Sequence, residues 1–171
     1  MLSRLIESVL EALRRLFGGS TTAGTTPAAP KLLSCPNTKE ERTVQTIGPE
    51  GGTLKLAEHQ LVVPQGGVVD KVSFSAALLE DRLLKVRLQA NGADTFKFSQ
   101  SASLALSYGR CEPPADAQRL RVYKIDPLTD EVLQDLGGTV DVRARTVTAR
   151  LDTLSTYTLG TPTDKPSEGL P

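Results

Sequence analysis

The segment from Thr43 to Pro64 constrains the fold of this 171-residue chain more than any other part of it. Val44–Ile47 is apolar and runs into a turn rich in Gly and Pro. Thr53–Leu56 follows, and a third apolar stretch stops at Pro64. Short apolar stretches separated by turn residues predict consecutive β-strands joined by tight turns. The segment therefore indicates the opening of a small all-β domain.

Alternation of apolar and polar residues continues along the chain. Leu84–Gln89 places three aliphatic side chains on one face of a strand and three polar side chains on the other. Further strands are predicted over Val72–Ser75, Phe96–Phe98, Leu104–Tyr108, Leu120–Ile125, Val140–Val142, Val147–Leu151 and Tyr157–Leu159. About ten half-polar strands need a shared interior, which favours an antiparallel two-sheet β-sandwich. A closed barrel is the second choice.

Composition divides the chain into four parts. Residues 1–17 are predicted to form an amphipathic helix, and residues 18–34, which are rich in Gly, Ser, Thr, Ala and Pro, a flexible linker. Residues 35–160 carry the β pattern. Residues 161–171 are polar, contain Pro and are predicted to be a disordered tail.

The predicted helix has one apolar face, which spans about 140° at 100° per residue. Its central members are Leu5, Ile6, Val9, Leu13 and Leu16. A helix this short is marginal alone in water, so the face needs a surface to cover it. The sandwich itself, a partner or second copy of the helix, and a membrane surface are the three choices. We favour a protein partner or self-association, because the polar face is nearly neutral.

Charge and residue usage argue against several functions. Twenty basic side chains balance twenty acidic ones, which disfavours binding to nucleic acid. His59 is the only histidine and is expected in an exposed turn, away from further metal ligands. No Gly-rich phosphate loop follows a strand and opens a helix. We therefore expect neither a metal nor a cofactor.

The order of the β motifs resembles a ZU-five domain, the β-sandwich module of netrin receptors, ankyrins and tight-junction scaffolds. The opening motif is Ile47–Leu54 followed by Leu61–Pro64 and Val72–Ser75, and the second half of the match comprises Leu120–Asp126 and Thr146–Tyr157. The resemblance extends over roughly residues 43–160 and includes bacterial exported proteins. It implies an interaction or structural module that is not an enzyme.

Some ZU-five-like domains cut their own chain before a Ser in the closing hairpin, where the motif reads His-Phe-Ser. The matching positions here are Thr153, Leu154 and Ser155. Ser155 retains the nucleophile, but Thr153 cannot accept a proton near pH 7 as imidazole does. We therefore expect no self-cleavage. A self-processing domain, or a hydrolase with an unrecognised site, remains the alternative.

The two cysteines are informative about the cellular compartment of the protein. Cys35 begins the predicted domain and Cys111 follows a predicted inner strand, and the bacterial proteins that the chain resembles place cysteines similarly. A disulfide between them is expected in an oxidising compartment, and two unrelated thiols are the alternative. We expect an extracytoplasmic or cell-surface protein, although Glu7 and Glu11 interrupt any signal-peptide core. A cytoplasmic location, or an export signal upstream of Met1, is the other option.

Overall fold

The computed structural model describes residues 28–163, which form fourteen β-strands and one short 3-10 helix, Ala117–Arg119. The strands are β1 Lys31–Leu32, β2 Ser34–Asn37, β3 Glu41–Ile47, β4 Gly52–Leu56, β5 His59–Val63, β6 Val72–Leu78, β7 Asp81–Leu83, β8 Val86–Ala90, β9 Lys97–Ser107, β10 Arg121–Ile125, β11 Val132–Gly137, β12 Thr139–Asp141, β13 Thr146–Thr153 and β14 Thr156–Thr161. The predicted helix over residues 1–17 lies outside the described residues, as does most of the predicted tail.

The strands assemble into two main antiparallel sheets. The larger has the order β11-β10-β14-β8-β6-β3, with β1 also paired to β14. The smaller has the order β12-β13-β9-β5-β4. Both sheets are open. The fold is therefore the predicted all-β antiparallel sandwich and not the closed barrel.

One apolar core lies between the two sheets. Phe74 and Leu88 contribute from the larger sheet, and Leu61, Leu104 and Leu151 from the smaller. Each of these side chains is almost fully buried. Phe74 also contacts two further phenylalanine rings, Phe96 and Phe98, with centroids 5.5 and 5.8 Å away. The alternation seen in the sequence therefore corresponds to alternate burial on the facing sides of the sheets.

The folded domain begins before the predicted boundary at residue 35. Lys31 and Leu32 pair with Thr161 and Gly160 of β14, inside the segment predicted to be a flexible linker. β2 then pairs with β7 in a separate two-stranded sheet. Leu33 is buried, so this leading segment has apolar surface to cover as well as backbone groups to pair.

Several strand boundaries differ from those predicted. Phe96–Phe98 and Leu104–Tyr108 were expected as two strands, but an eleven-residue strand, β9, runs from Lys97 to Ser107. β11 was not expected, because half of its residues are exposed and its sequence lacks clear alternation. Pairing with β10, with two register irregularities, holds β11 in place. Edge strands of this kind depend on their neighbour more than on local propensity.

Candidate functional site

The two cysteines form a disulfide that joins the leading segment to the loop that follows β9. The Sγ atoms of Cys35 and Cys111 lie 2.08 Å apart and their Cα atoms 4.1 Å apart, which confirms the predicted pairing. Beside the bond, the Glu112 amide donates to the Ser34 carbonyl at 3.2 Å. The disulfide therefore fixes the segment Ser34–Cys35 against the loop that begins at Cys111.

A groove opens directly next to this bond. Its volume is about 500 Å³, within the usual range for small-ligand sites. Leu32 and Leu33 form one wall, Pro113 and Pro114 the other, and Leu120 lies among the lining residues. Charged side chains of both signs complete the lining: Lys31, Glu112, Asp116 and Arg119. An apolar surface with balanced charge suits an uncharged or amphipathic segment better than a polyanion.

A second cavity shares Pro113 and Pro114 with the groove. It has a volume of about 150 Å³ and is also lined by Tyr108, Val142 and Arg145. The Tyr108 hydroxyl is buried and has no hydrogen-bond partner among residues 28–163. A buried hydroxyl without a partner costs about 1–3 kcal/mol, so such a group calls for an explanation. The hydroxyl oxygen has less than 1 Å² of accessible surface, so it is closed off from the cavity in this structure.

His59 is buried in β5, so the expectation of an exposed turn is wrong. Its Nδ1 accepts the Ser107 backbone N–H at 3.0 Å. Burial lowers the pKa of His59 from 6.5 to about 4; the charge of Glu58 opposes this shift and that of Arg110 adds to it. The adjoining cavity is only about 30 Å³, room for roughly one water molecule. The imidazole is therefore neutral at pH 7 and serves as a structural acceptor.

The closing hairpin places Thr153, Leu154 and Ser155 between β13 and β14. Leu154 is buried and donates its N–H to the Phe96 carbonyl at 2.9 Å, while the Thr153 carbonyl accepts from the Tyr157 hydroxyl at 2.6 Å. The Ser155 carbonyl accepts the Leu88 N–H at 2.9 Å. These hydrogen bonds fix the backbone on both sides of the Leu154–Ser155 peptide bond.

His59 and this hairpin lie at opposite ends of β9. Thr153 pairs with Lys97, at the beginning of β9, whereas His59 contacts Ser107, at its end. Ten residues of strand span about 30 Å at 3.3 Å per residue. The imidazole is therefore far from the Ser155 hydroxyl and cannot act as its base.

Lys85 is a buried cation that the sequence placed on the polar face of a strand. Its side chain is 5% exposed, and its Nζ lies 2.8 Å from Asp81 and 2.5 Å from Asp130. Burial disfavours the charge, but hydrogen bonds and attraction from Asp130 and Asp81 outweigh it and raise the pKa of Lys85 above its usual value. The three groups join β7 to the β10–β11 turn.

Within residues 28–163, no group of three or more His, Cys, Asp or Glu side chains is arranged to hold a metal ion. The same residues contain no helix long and apolar enough to cross a membrane.

Comparison of the chain with protein-family models found no match, and comparison with curated proteins found none either. The resemblance to ZU-five domains therefore depends on the motifs described above.

Proposed function

We propose that this protein is a non-catalytic binding or structural module of the ZU-five-like kind, which works in an oxidising, extracytoplasmic compartment. The Cys35–Cys111 disulfide carries the proposal, because it fixes one wall of the groove against the other. A site built from two such separate segments is held in shape by this bond together with the pairing of β1 with β14. Preorganisation of this kind raises affinity by reducing the ordering cost of binding.

The hydrogen bond that the His59 imidazole already accepts supports a non-catalytic function. His59 is the chain's only histidine, and it accepts a backbone N–H in the protein interior. A general base that works near pH 7 needs a pKa close to that pH and access to the reacting proton. The pKa of about 4 and the position of His59 meet neither condition. In this proposal Ser155 is therefore a structural residue of the turn between β13 and β14.

The groove suggests the partner's chemistry. Its lining combines leucine and proline residues with two cationic and two anionic residues. An extended peptide segment with apolar side chains and little net charge fits such a surface. The predicted helix over residues 1–17 would tether or oligomerise the module in this proposal, and leave the groove for the partner.

Affinity capture from an extracytoplasmic fraction tests the proposal when it includes a groove variant. Ala115 is exposed in the groove lining, so Ala115→Arg should block the groove without disturbing the core. Leu128→Arg is the matched control, because Leu128 is 92% exposed in the β10–β11 turn. We expect proteins retained by the full chain and by the control variant to be lost with Ala115→Arg. Equal retention by all three would contradict the proposal.

A further inference from the structure

The leading segment has an open backbone position beside the groove. The Leu33 N–H donates to the Leu159 carbonyl at 2.9 Å, so Leu33 directs its backbone groups toward β14. Backbone groups alternate in direction along an antiparallel strand, so the N–H and C=O of Leu32 point away from β14. Among the described strands, β1 pairs with β14 alone. Leu32 therefore presents a donor and an acceptor that no other strand within residues 28–163 pairs.

These two groups face the groove. The Ser34 carbonyl, two residues further along, accepts the Glu112 N–H at 3.2 Å, so this side of the leading segment faces the loop after β9. Pro113 and Pro114 follow Glu112 directly, and proline has no N–H to donate. The loop therefore cannot supply the next pair of backbone hydrogen bonds. The groove, with its volume of about 500 Å³, lies between the loop and Leu32.

An extended peptide strand is the occupant that matches these groups. In an antiparallel pair, a single residue of the incoming strand exchanges both hydrogen bonds with Leu32. A helix already uses its own N–H and C=O groups internally, and a proline-rich segment lacks the donors. The lining carries two cationic and two anionic residues, so the segment needs no net charge. The geometry and the charge balance therefore agree on an uncharged strand.

Sheet geometry also gives the side-chain pattern of that strand. Side chains directly opposite each other in an antiparallel pair share a face, so the residue that pairs with Leu32 lies on the face of Leu32. Its two neighbours lie on the other face, which is that of Leu33. Leu33 and Leu120 belong to the apolar core and also line the groove. The strand should therefore carry apolar residues on both sides of the one that pairs with Leu32, which itself cannot be proline.

We infer that the groove binds its partner by β-strand addition: an extended, uncharged segment of a partner protein pairs through its backbone with Leu32 and continues the larger sheet beyond β1. This inference rests on the proposed function and specifies how the groove recognises its partner. Main-chain hydrogen bonds supply affinity in this mode, and the alternating side chains supply specificity.

Selection from a random peptide library displayed on phage, with the full chain as bait, tests the pattern. Peptides of about seven residues, extended at about 3.3 Å per residue, suit a site of this kind. We expect selected peptides to alternate apolar and polar residues, to lack a central proline, and to lose binding to Ala115→Arg. Proline-rich sequences, or no selected sequence, would overturn the inference. The second result includes the case where another segment of this chain fills the groove.

The proposed function can survive that failure, because it has its own test. Proteins that are captured by the parent chain and lost with Ala115→Arg would still identify a binding module, with a partner held in another way. Loss of both results would contradict the proposed function as well.

Leu32→Pro tests the backbone contact with a selected synthetic peptide. Proline is tolerated on an edge strand where the N–H points away from the sheet, and it removes the donor. We expect the dissociation constant to rise at least about fivefold, the equivalent of one hydrogen bond. Leu32→Val keeps the N–H and is the matched control, with an expected change of at most about twofold. Equal affinities of the two variants would overturn the inference. Thermal melts check that both are folded.

Amide hydrogen exchange in the parent chain needs no variant. With the selected peptide at saturation, exchange of the Leu32 N–H should slow at least about tenfold, because the added strand protects it. Gly92, in the exposed turn after β8, is the internal reference and should keep its rate. An unchanged rate at Leu32 in the saturated complex would overturn the inference, even if Leu32→Pro does not fold.

Discussion

Single residues in this sandwich show how the interior changes the properties of polar groups. His59 is buried beside Glu58 and Arg110, and its imidazole stays neutral because burial lowers its pKa to about 4. In the unfolded chain the same group titrates near 6.5. Between these values the unfolded state binds more protons than the folded state, so stability falls as the pH drops from about 6.5 to about 4.

This linkage gives a prediction for His59→Gln. From pH 7 to pH 4, the free energy of unfolding of the parent chain should fall by about 3 kcal/mol more than that of the variant. The carboxylates with lowered pKa, which include Asp81 and Asp94, weaken both proteins alike in acid. Urea denaturation at the two pH values measures the difference. Parallel losses in the two proteins would contradict the burial of a neutral imidazole.

Lys85 gives a second residue-scale prediction. Lys85→Ala removes the cation between Asp81 and Asp130, whose side chains are about a quarter exposed. Because water still reaches these carboxylates, we expect a destabilisation of about 2 kcal/mol, below the usual cost of a fully buried unpaired charge. Arg87→Ala is the control, since its pair with Asp94 is exposed and should contribute at most about 1 kcal/mol. Denaturant midpoints that rank the two variants in the opposite order would refute this.

At the residue scale, the burial of His59 could have been predicted from the sequence. The turn between β4 and β5 comprises only Ala57 and Glu58, so His59 begins a strand whose inward positions continue with Leu61 and Val63. Period-two alternation extended back by one step predicts its burial. The partners of Lys85 could not be predicted in the same way, because Asp130 comes from a distant turn whose position depends on the assembled sheets.

Among the elements, the turn between β3 and β4 depends most on glycine. Gly51 has φ +81°, and its amide donates to the Gly48 carbonyl at 3.0 Å. A Cβ atom there would lie 2.7 Å from the Val63 carbonyl oxygen and 2.8 Å from the Gln65 nitrogen. Both contacts are backbone, so they cannot relax by side-chain rotation.

We therefore expect Gly51→Ala to lower the free energy of unfolding by at least about 2 kcal/mol, from positive φ and steric overlap together. Gly92→Ala measures the contribution of the positive φ alone. Gly92 has φ +79° and open space around its Cα, so its loss should be about 1 kcal/mol. Thermal or urea denaturation measures both, and equal effects would show that the Val63 contact has no energetic weight.

Strands with strong alternation, such as β5 and β6, were predictable, and so were the Gly and Asp turns. Asp126 illustrates the turns: its carboxylate accepts the N–H groups of Leu128 and Thr129, as the predicted hairpin requires. β1 and β11 were missed because pairing with β14 and β10, rather than local pattern, makes them strands. Elements whose stability comes from non-local pairing carry little signal in their own residues.

On the scale of the whole molecule, the disulfide and the two sheets form one framework. The Cys35–Cys111 bond closes a loop with a sequence separation of 76 residues, which stabilises the fold by about 4 kcal/mol in the chain-entropy model. The fold class and this bond agree with expectation from sequence. The groove could not be predicted from the sequence, because its walls come from segments about eighty residues apart and meet only in the folded chain.

The intact mass of the purified full chain, measured without reducing agent after prolonged incubation, tests the central claim most directly. The account predicts a single species with the mass of the full sequence less the two hydrogens lost on forming Cys35–Cys111. Ser155→Ala should change that result only by the mass of the substituted atom. A fragment of residues 1–154 that disappears in Ser155→Ala would show self-processing and contradict a module that acts by binding alone.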